Sequence, residues 1–323
     1  CEDRSSVRKC FPAPRRGALP LPSALDAARL DYLPQRVEDL NAVVPKGHLQ
    51  LATPQRDARG VLDFKGGETA ALERLQYYLF DSHLIATYFD SRNGMLGGDY
   101  STKWAPWLAH GCLSPRHCYH EIKRYERQTG TANKSTYWVQ FELTWRDFYR
   151  FFALKHGNKI FYEGGTTDQV FPWSNDEEAF RRWKEGTTGW PLVDANMREL
   201  RATGFMSNRG RQNVASFLAL DMGIDWRKGA DWFESMLLDY DRRASAAAAV
   251  NKFNITKQSN DYDPQGEYIR TWVPELKNVP TRRIHEPWLM SREEQAAAGC
   301  QIGADYPSPL RSQWKGECTL ADD

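Results

Sequence analysis

Apolar residues recur at helical spacing along most of the chain beyond residue 66. Leu72, Leu75 and Leu79 lie three and four residues apart, and we expect this helix to continue through Ile85 and Tyr88. Strand-like alternation of apolar and polar residues is scarce. The pattern therefore predicts an all-α domain.

A second long helix is predicted where aromatic residues repeat three and four positions apart. Its apolar stripe contains Trp138, Phe141, Trp145, Phe148 and Phe152. Further helices fit residues 176–186, 192–203, 208–222 and 228–238.

The two ends of the chain contain more proline than its middle. Residues 1–66 read as a linker or arm, because the four prolines at positions 12, 14, 20 and 22 remove backbone donors and favour extended chain. A short helix fits around residues 23–30. The chain becomes proline-rich again after Asp261. We therefore divide it into an arm at 1–66, a helical domain at 67–290 and a C-terminal arm at 291–323.

Composition and charge narrow the possible classes of function. The chain has 323 residues, 41% of them hydrophobic, which is enough for one large core or two modest ones. Its net charge of +1 gives no global field that would attract nucleic acid, although a local basic groove remains open. No apolar run has the length of a membrane span.

The cysteines favour an intracellular, reduced protein. The six of them, at positions 1, 10, 112, 118, 300 and 318, lack the paired spacing of a zinc site, and a disulfide framework is not expected in a chain of this length. We predict no bound metal. The first residue is Cys rather than Met, so we expect the sequence to begin partway along a longer product.

A first candidate site lies in the segment GGDYSTKWAPWLAHGCLSPR, residues 97–116. Ser101, Thr102 and Lys103 offer hydroxyls, backbone N–H groups and a cation just before a helix, a combination that suits a diphosphate. Taken alone, a Ser-Thr pair at a helix start is more often only a cap.

A second candidate site lies on the aromatic helix, in WVQFELTWRDFYRF at 138–151. Glu142, Trp145, Arg146 and Tyr149 share one face because they lie at helical spacing. Glu and Arg four residues apart commonly form a plain intrahelical ion pair. The tryptophan between them favours the wall of a pocket.

A third candidate site combines a helix face with two carboxylates. Asn208, Arg211 and Gln212 project from one side of the predicted helix and would suit a flat, anionic ligand. Asp239 and Asp241 in LLDYD are either metal ligands, an acid–base pair or residues of a solvated loop. Metal is the least favoured, because no His or Cys cluster accompanies them.

Together these segments resemble the FAD-binding domain of the photolyase/cryptochrome superfamily, in particular the DASH cryptochromes, from about Val7 to Tyr306. The resemblance implies an all-α fold, and we expect no counterpart of the family's α/β antenna domain within these 323 residues. It also implies that residues 97–116 and Arg146 hold the FAD phosphates. Ala105 stands where DASH members have Ser, so one phosphate hydrogen bond is expected to be missing.

The resemblance assigns further roles around the flavin. Tyr88 would contact it, Asp239 and Asp241 would touch the ring edge and ribitol, and Arg211 would pair with the first of these carboxylates. Glu142 and Trp145 would face the cavity that takes in a flipped pyrimidine dimer. Most tryptophans belong to cores, but Trp226 and Trp173 match the middle and outer members of the family's electron-transfer chain.

One segment departs from the family. After Asp241 a DASH cryptochrome continues with a segment of the type NWGNW, which supplies the Asn at flavin N5 and the innermost Trp of the relay. This chain instead reads RRASAAAAVNKFNI, and its four consecutive alanines offer no polar side-chain atom. Three explanations stand: the photochemistry is lost and the fold is kept as a scaffold, the segment is wrongly translated from an ordinary flavoprotein gene, or another aromatic fills the gap.

Two functions from different classes follow from these observations. The first is a flavoprotein with FAD, a blue-light photoreceptor or a photolyase of pyrimidine dimers in single-stranded DNA. The second is a degenerate, flavin-free protein that acts as a structural subunit with protein partners in a larger complex. A helical DNA-binding module without a ligand is a third reading. By analogy with DASH relatives, an organelle or a bacterial cell is the expected location.

Overall fold

The predicted helices are present, with one interruption near the start. The computed structural model describes residues 56–168, 171–241 and 252–311, and no β-strand occurs within those ranges. The predicted helix at 23–30, the alanine-rich residues 242–250 and the end of the chain from 312 lie outside them. The helices are α1 Glu68–Gln76, α2 Tyr88–Ser91, α3 Ala105–Ala109, α4 Pro115–Thr129, α5 Lys134–His156, α6 Glu177–Glu185, α7 Pro191–Thr203, α8 Asn208–Ser216, α9 Trp226–Met236, α10 Ile255–Tyr262, α11 Glu267–Trp272 and α12 Arg292–Ala298.

The first helix does not run through Tyr88, so that prediction was wrong. Helix α1 passes into a π-helical turn at Tyr77–Asp81, and both the backbone N–H and the hydroxyl of Ser82 then bond to the Tyr77 carbonyl. His83 follows with φ 55°, the left-handed conformation that ends a helix. A 3₁₀ turn at Leu84–Thr87 leads into the separate short helix α2.

Helix α5 turns its predicted aromatic stripe partly toward solvent. The helix begins at a capping box in which Asn133 accepts from the backbone of Ser135 and Thr136. Its buried positions include Val139 and Leu143, whereas the stripe residue Phe148 is 51% exposed. The buried face of α5 is therefore the one next to the face that carries the aromatic stripe.

The four helices predicted between residues 176 and 238 are confirmed as α6, α7, α8 and α9. Helix α8 continues through a π-helical turn at Phe217–Asp221, and an isolated bridge between Ser174 and Ile224 ties the segment before α6 to the segment before α9. Helix α7 is the central one, because nine of its thirteen residues are buried and α6, α8 and α11 pack against it.

Buried apolar side chains form two clusters. The smaller contains residues from Ala71 to Leu143 and packs α5 against α2 and α4. The larger surrounds α7 and includes Ala298, Cys300 and Tyr306 from the segment expected to be a C-terminal arm. The described residues from Arg59 onward belong to one compact unit. The division at residues 66 and 290 remains a prediction.

No described helix combines the length and apolar character needed to cross a bilayer.

A buried carboxylate fixes the segment around Tyr306 to the central helix. Asp194 accepts hydrogen bonds from the Thr188 backbone at 2.7 Å, the Thr188 hydroxyl at 2.6 Å and the Gly189 backbone at 3.0 Å. The fully buried Tyr306 hydroxyl donates the fourth bond at 2.6 Å. Burial raises the pKa of Asp194, and the hydrogen bonds from Thr188 and Tyr306 counter that effect.

Replacing Tyr306 with Phe should lower the free energy of unfolding by about 1–3 kcal/mol, because a buried carboxylate loses one of its donors. Urea denaturation followed by far-UV circular dichroism measures the change. Tyr162→Phe, at an exposed position, is the matched control and should leave the midpoint within error. Equal midpoints for the two variants would show that the Tyr306 hydroxyl does not stabilise the fold.

Candidate functional site

The loop before α3 is organised by a single arginine. Arg74 of α1 is buried, and its guanidinium donates to the Gly98 carbonyl at 2.8 Å, the Asp99 carboxylate at 3.0 Å, the Thr102 carbonyl at 3.1 Å and the Ser101 carbonyl at 3.3 Å. Five fixed donors suit such a set of acceptors. Arg74 was not predicted from the sequence, because a lone arginine in a helical pattern resembles a residue that is exposed to solvent.

The same loop buries a lysine. Lys103 has the left-handed φ of 59°, its Nζ donates to the Ser101 hydroxyl at 2.9 Å, and it lies 3.0 Å from the centre of the Tyr100 ring. Burial lowers the pKa of Lys103 well below its usual range, and the charge of Glu199 opposes that shift. Trp104 occupies the N-cap of α3 without a side-chain cap, so Ser101 and Thr102 do not cap it.

Glu142 and Arg146 do not form the intrahelical ion pair that their spacing allows. Glu142 accepts a hydrogen bond from the hydroxyl of the buried Tyr88 and lies 3.7 Å from Arg92. Burial raises the pKa of Glu142, yet 41% of its side chain is exposed. Protein therefore encloses the Glu142 carboxyl group in part, while water still reaches it. Trp145 beside it is 42% exposed.

Arg146 turns away from Glu142 toward other elements. Its Nη2 donates to the Leu108 carbonyl at 3.2 Å, and its Nε lies 3.8 Å from an oxygen of Asp241. The remaining Nη1 is buried and has no hydrogen-bond partner among the described residues. A buried donor of this kind is costly unless an acceptor reaches it.

Arg211 and Asp239 form the strongest ion pair of the site. Arg211 Nη2 donates to both carboxylate oxygens of Asp239, at 2.8 and 2.9 Å, and its Nε donates to the Met206 carbonyl at 2.9 Å. Asp239 is buried. The contact implied by the resemblance is therefore present, and the two aspartates of LLDYD each lie beside an arginine rather than in a solvated loop.

Asn208 is the first residue of α8. It is exposed, and the preceding Ser207 caps the helix by accepting from the Gly210 backbone at 3.0 Å. Gln212, on the same face, accepts from Arg209 at 2.8 Å. Asn208 thus remains available for a ligand at the start of the helix.

The two candidate relay tryptophans lie on segments that the Ser174–Ile224 bridge holds together. Trp226 donates from its ring nitrogen to the Glu163 carbonyl at 3.2 Å, and Trp173 packs on Phe171 with ring centres 5.4 Å apart. The ring nitrogen of Trp173 is buried without a partner among the described residues. Their role in electron transfer remains a prediction.

The cationic residues converge on one region. Lys103 and Arg211 lie 5.2 and 5.9 Å from the centre of the same Phe205 ring. Segment 239–241 then links Arg211 to Arg146 through its two aspartates. A buried ammonium and an unpartnered guanidinium nitrogen are the donors that an anionic group accepts from. These residues fit the diphosphate of a dinucleotide.

Arg211→Met should lower the free energy of unfolding by about 2–4 kcal/mol, because the buried Asp239 carboxylate loses its charged partner. Thermal and urea unfolding measure the loss. Arg181→Met is the control, since Arg181 pairs with Glu178 and Glu185 on the surface, where such pairs contribute little. A similar loss in both variants would contradict a special role for the Arg211–Asp239 pair.

Comparison with known proteins agrees with the geometry. A family model described as the FAD binding domain of DNA photolyase matches residues 138–317. Cryptochrome DASH, chloroplastic/mitochondrial, of Ostreococcus tauri is 53% identical over 96% of this chain and 58% of that protein. Cryptochrome DASH of Synechocystis sp. is 51% identical over 94% of this chain and 61% of that protein. The chain thus spans about three fifths of the length of these relatives.

Solved structures show the same fold. The crystal structure of the Synechocystis sp. cryptochrome superposes with a TM-score of 0.78 at 54% identity, over 80% of this chain and 56% of that one. A bacterial class III photolyase from Agrobacterium tumefaciens gives a TM-score of 0.70 at 32% identity, over 76% of this chain and 53% of that one. With its helical fold and its cluster of cations and aspartates, the chain belongs to the photolyase/cryptochrome family, as a FAD-binding domain of the cryptochrome DASH type.

Proposed function

We propose that this chain binds FAD and acts as the flavin-binding part of a DASH-type cryptochrome, a blue-light photoreceptor or a photolyase of pyrimidine dimers in single-stranded DNA. The observation that carries the proposal is the buried Nη1 of Arg146, which has no acceptor within residues 56–168, 171–241 and 252–311, although Nη2 of the same group donates to the Leu108 carbonyl and Nε lies near Asp241. An anionic ligand oxygen would satisfy it.

The diphosphate would be held by Arg146 together with residues 101–103. Ser101 and Thr102 supply hydroxyls, and Lys103 supplies a charge that has already been removed from water. Arg74 fixes this loop by donating hydrogen bonds to the carbonyl oxygens of the loop. The entropy lost by the loop on ligand binding is therefore small. Ala105 contributes no hydroxyl.

The ring system would be oriented by residues from three elements. Arg211 is rigid because Asp239 and the Met206 carbonyl hold it. Asp241, Asn208 and Tyr88 would complete the polar edge. Bound FAD supplies light absorption and single-electron transfer, while the protein supplies position and electrostatics.

The substrate side of the site would be the partly exposed surface beside Glu142 and Trp145. The exposed Trp145 ring offers a flat surface on which a base can stack. Glu142 is kept in place by the Tyr88 hydroxyl, and its raised pKa makes it a candidate donor or acceptor to a base edge. Trp226 and Trp173 would deliver electrons from the surface.

An absorption spectrum of the purified chain, followed by acid release and identification of the ligand, tests the proposal first. Oxidised flavin bands at near-stoichiometric occupancy are expected. Reduced, FAD-loaded protein should then remove cyclobutane dimers from single-stranded oligonucleotides under blue light and not in the dark. Loaded protein that leaves the dimers intact would exclude the photolyase and leave the photoreceptor.

Arg146→Met should weaken FAD binding by about tenfold to a hundredfold, the loss expected when a charge-assisted hydrogen bond is removed. Fluorescence titration of the refolded apoprotein with FAD measures the dissociation constant. Arg150→Met is the matched control, because Arg150 lies exposed on the same helix. Equal dissociation constants for both variants would remove Arg146 from the proposed site.

A structural role is the second candidate, and the exposed apolar face of α5 favours it. Phe151 is 70% and Leu154 66% exposed, next to Phe148 on the same helix. Contiguous apolar surface of this kind commonly marks an interface. A colourless protein that elutes as a stable assembly, and that becomes monomeric on Phe151→Ser, would favour the scaffold over the flavoprotein.

A further inference from the structure

Three polar side chains form a hydrogen-bonded group among the residues of the larger apolar cluster. Asn196 and Glu199 lie three residues apart on α7, and Tyr268 lies on α11. No more than 1% of any of the three is exposed. The Tyr268 hydroxyl oxygen lies 2.6 Å from Glu199 Oε2 and 3.0 Å from Asn196 Oδ1. A polar atom left unpaired at such a position is costly.

The side-chain amide of Asn196 has one favourable orientation. Its Nδ2 donates to the Leu192 carbonyl at 2.7 Å, so turning the amide over would bring two acceptor oxygens together. Asn196 Oδ1 therefore faces Tyr268 as an acceptor. Gly210 of α8 permits this placement, because a Cβ atom at that position would lie 1.9 Å from Asn196 Oδ1.

The Tyr268 hydroxyl has one proton and two oxygen neighbours that both accept. If Tyr268 donated to an ionised Glu199, its oxygen would face Asn196 Oδ1 at 3.0 Å with no proton between them. If Glu199 is protonated, it donates to Tyr268, and Tyr268 donates to Asn196. Each contact then contains one proton and no acceptor is left opposite another. The geometry therefore favours a protonated Glu199.

Burial acts in the same direction as the hydrogen bonds. It raises the pKa of Glu199 to about 7, although the positive charges of Lys103 and Arg211 oppose the shift. The charged and titratable side chains that face Glu199 or Tyr268 belong to the loop before α3, to α8, to the end of α10 and to α11. They are Tyr100, Lys103, Arg211, Asp263 and Tyr268.

We propose that Glu199 is a protonated acid in the folded protein, and that its hydrogen bond to Tyr268 makes the attachment of α11 to α7 sensitive to pH. Ionised Glu199 would take the Tyr268 proton and leave Asn196 Oδ1 without its donor. The inference goes beyond the proposed function and needs no bound cofactor.

The sign of the pH dependence follows from this proton. Between pH 4.5, the ordinary pKa of a glutamate side chain, and about pH 7, the folded chain keeps a proton that the unfolded chain releases. The stability that this proton contributes is complete below the lower value. It is lost progressively as the pH rises, and the loss is complete above the pKa of the folded chain.

Urea unfolding of the unaltered chain and of Glu199→Gln, from about pH 5 to about pH 8, tests the proposal. The glutamine amide can donate to Tyr268 at every pH in this range. The unfolding constant of the unaltered chain should therefore rise relative to that of the variant, by up to about tenfold per pH unit, and level off above neutrality. A ratio that stays constant with pH would overturn the proposal.

Glu275→Gln is the matched control for this measurement. Burial raises the pKa of Glu275, but its pairing with Arg198 at 2.8 Å outweighs burial and lowers the pKa, so Glu275 is ionised throughout the range. The ratio of unfolding constants for this variant should not change with pH.

Infrared spectroscopy of the folded chain near pH 6 gives a second readout should Glu199→Gln fail to fold. The unaltered chain should show the carbonyl band of a protonated carboxyl group. Tyr268→Phe should keep this band and shift its position, because the Glu199 proton loses its acceptor. A spectrum of the unaltered chain without the band, or an unshifted band in folded Tyr268→Phe, would overturn the assignment of the proton to Glu199.

Discussion

The ion pair between Arg211 and Asp239 joins the parts of the molecule on which the site depends. It fixes the segment after α9 against α8, and the same segment carries Asp241 to Arg146 on α5. The pair thereby links α8 and the segment after α9 to α5, whose Leu143 belongs to the smaller apolar cluster. A pair of this kind contributes less to net stability than to the choice of one arrangement, which a binding site requires.

The charged side chains of the candidate site are buried or half-buried, in positions where a ligand could contact them. Lys103, Arg146 and Arg211 are each taken partly out of water, and Asp239 and Asp241 lie beside the two arginines without covering every donor. Apolar side chains of similar volume in place of these charged residues would give a more stable core. The fold instead accepts incompletely satisfied polar atoms near its centre, a pattern that is concentrated at functional sites.

The sequence predicts best what depends on periodicity. The bounds of α6, α7 and α8 and the shared face of Glu142, Trp145 and Arg146 follow from helical spacing alone. The choice of partner does not, because Glu142 accepts from Tyr88, fifty-four positions away, and Arg146 donates to the Leu108 carbonyl, thirty-eight positions away. The break at His83 was missed because no glycine or proline marks it. Arg74 was missed because only tertiary packing shows that it is buried.

The orientation of α5 leaves the Trp145 ring partly exposed, so tryptophan fluorescence can be used to observe the candidate site. Five of the described tryptophans are almost fully buried, at positions 104, 107, 183, 190 and 272, whereas Trp145, three residues after Glu142, is 42% exposed. A neutral collisional quencher such as acrylamide therefore reaches the indole of Trp145 well before it reaches those five. The part of the quenchable indole emission that a Trp145→Phe variant loses would therefore report on a nucleotide base that stacks on this ring.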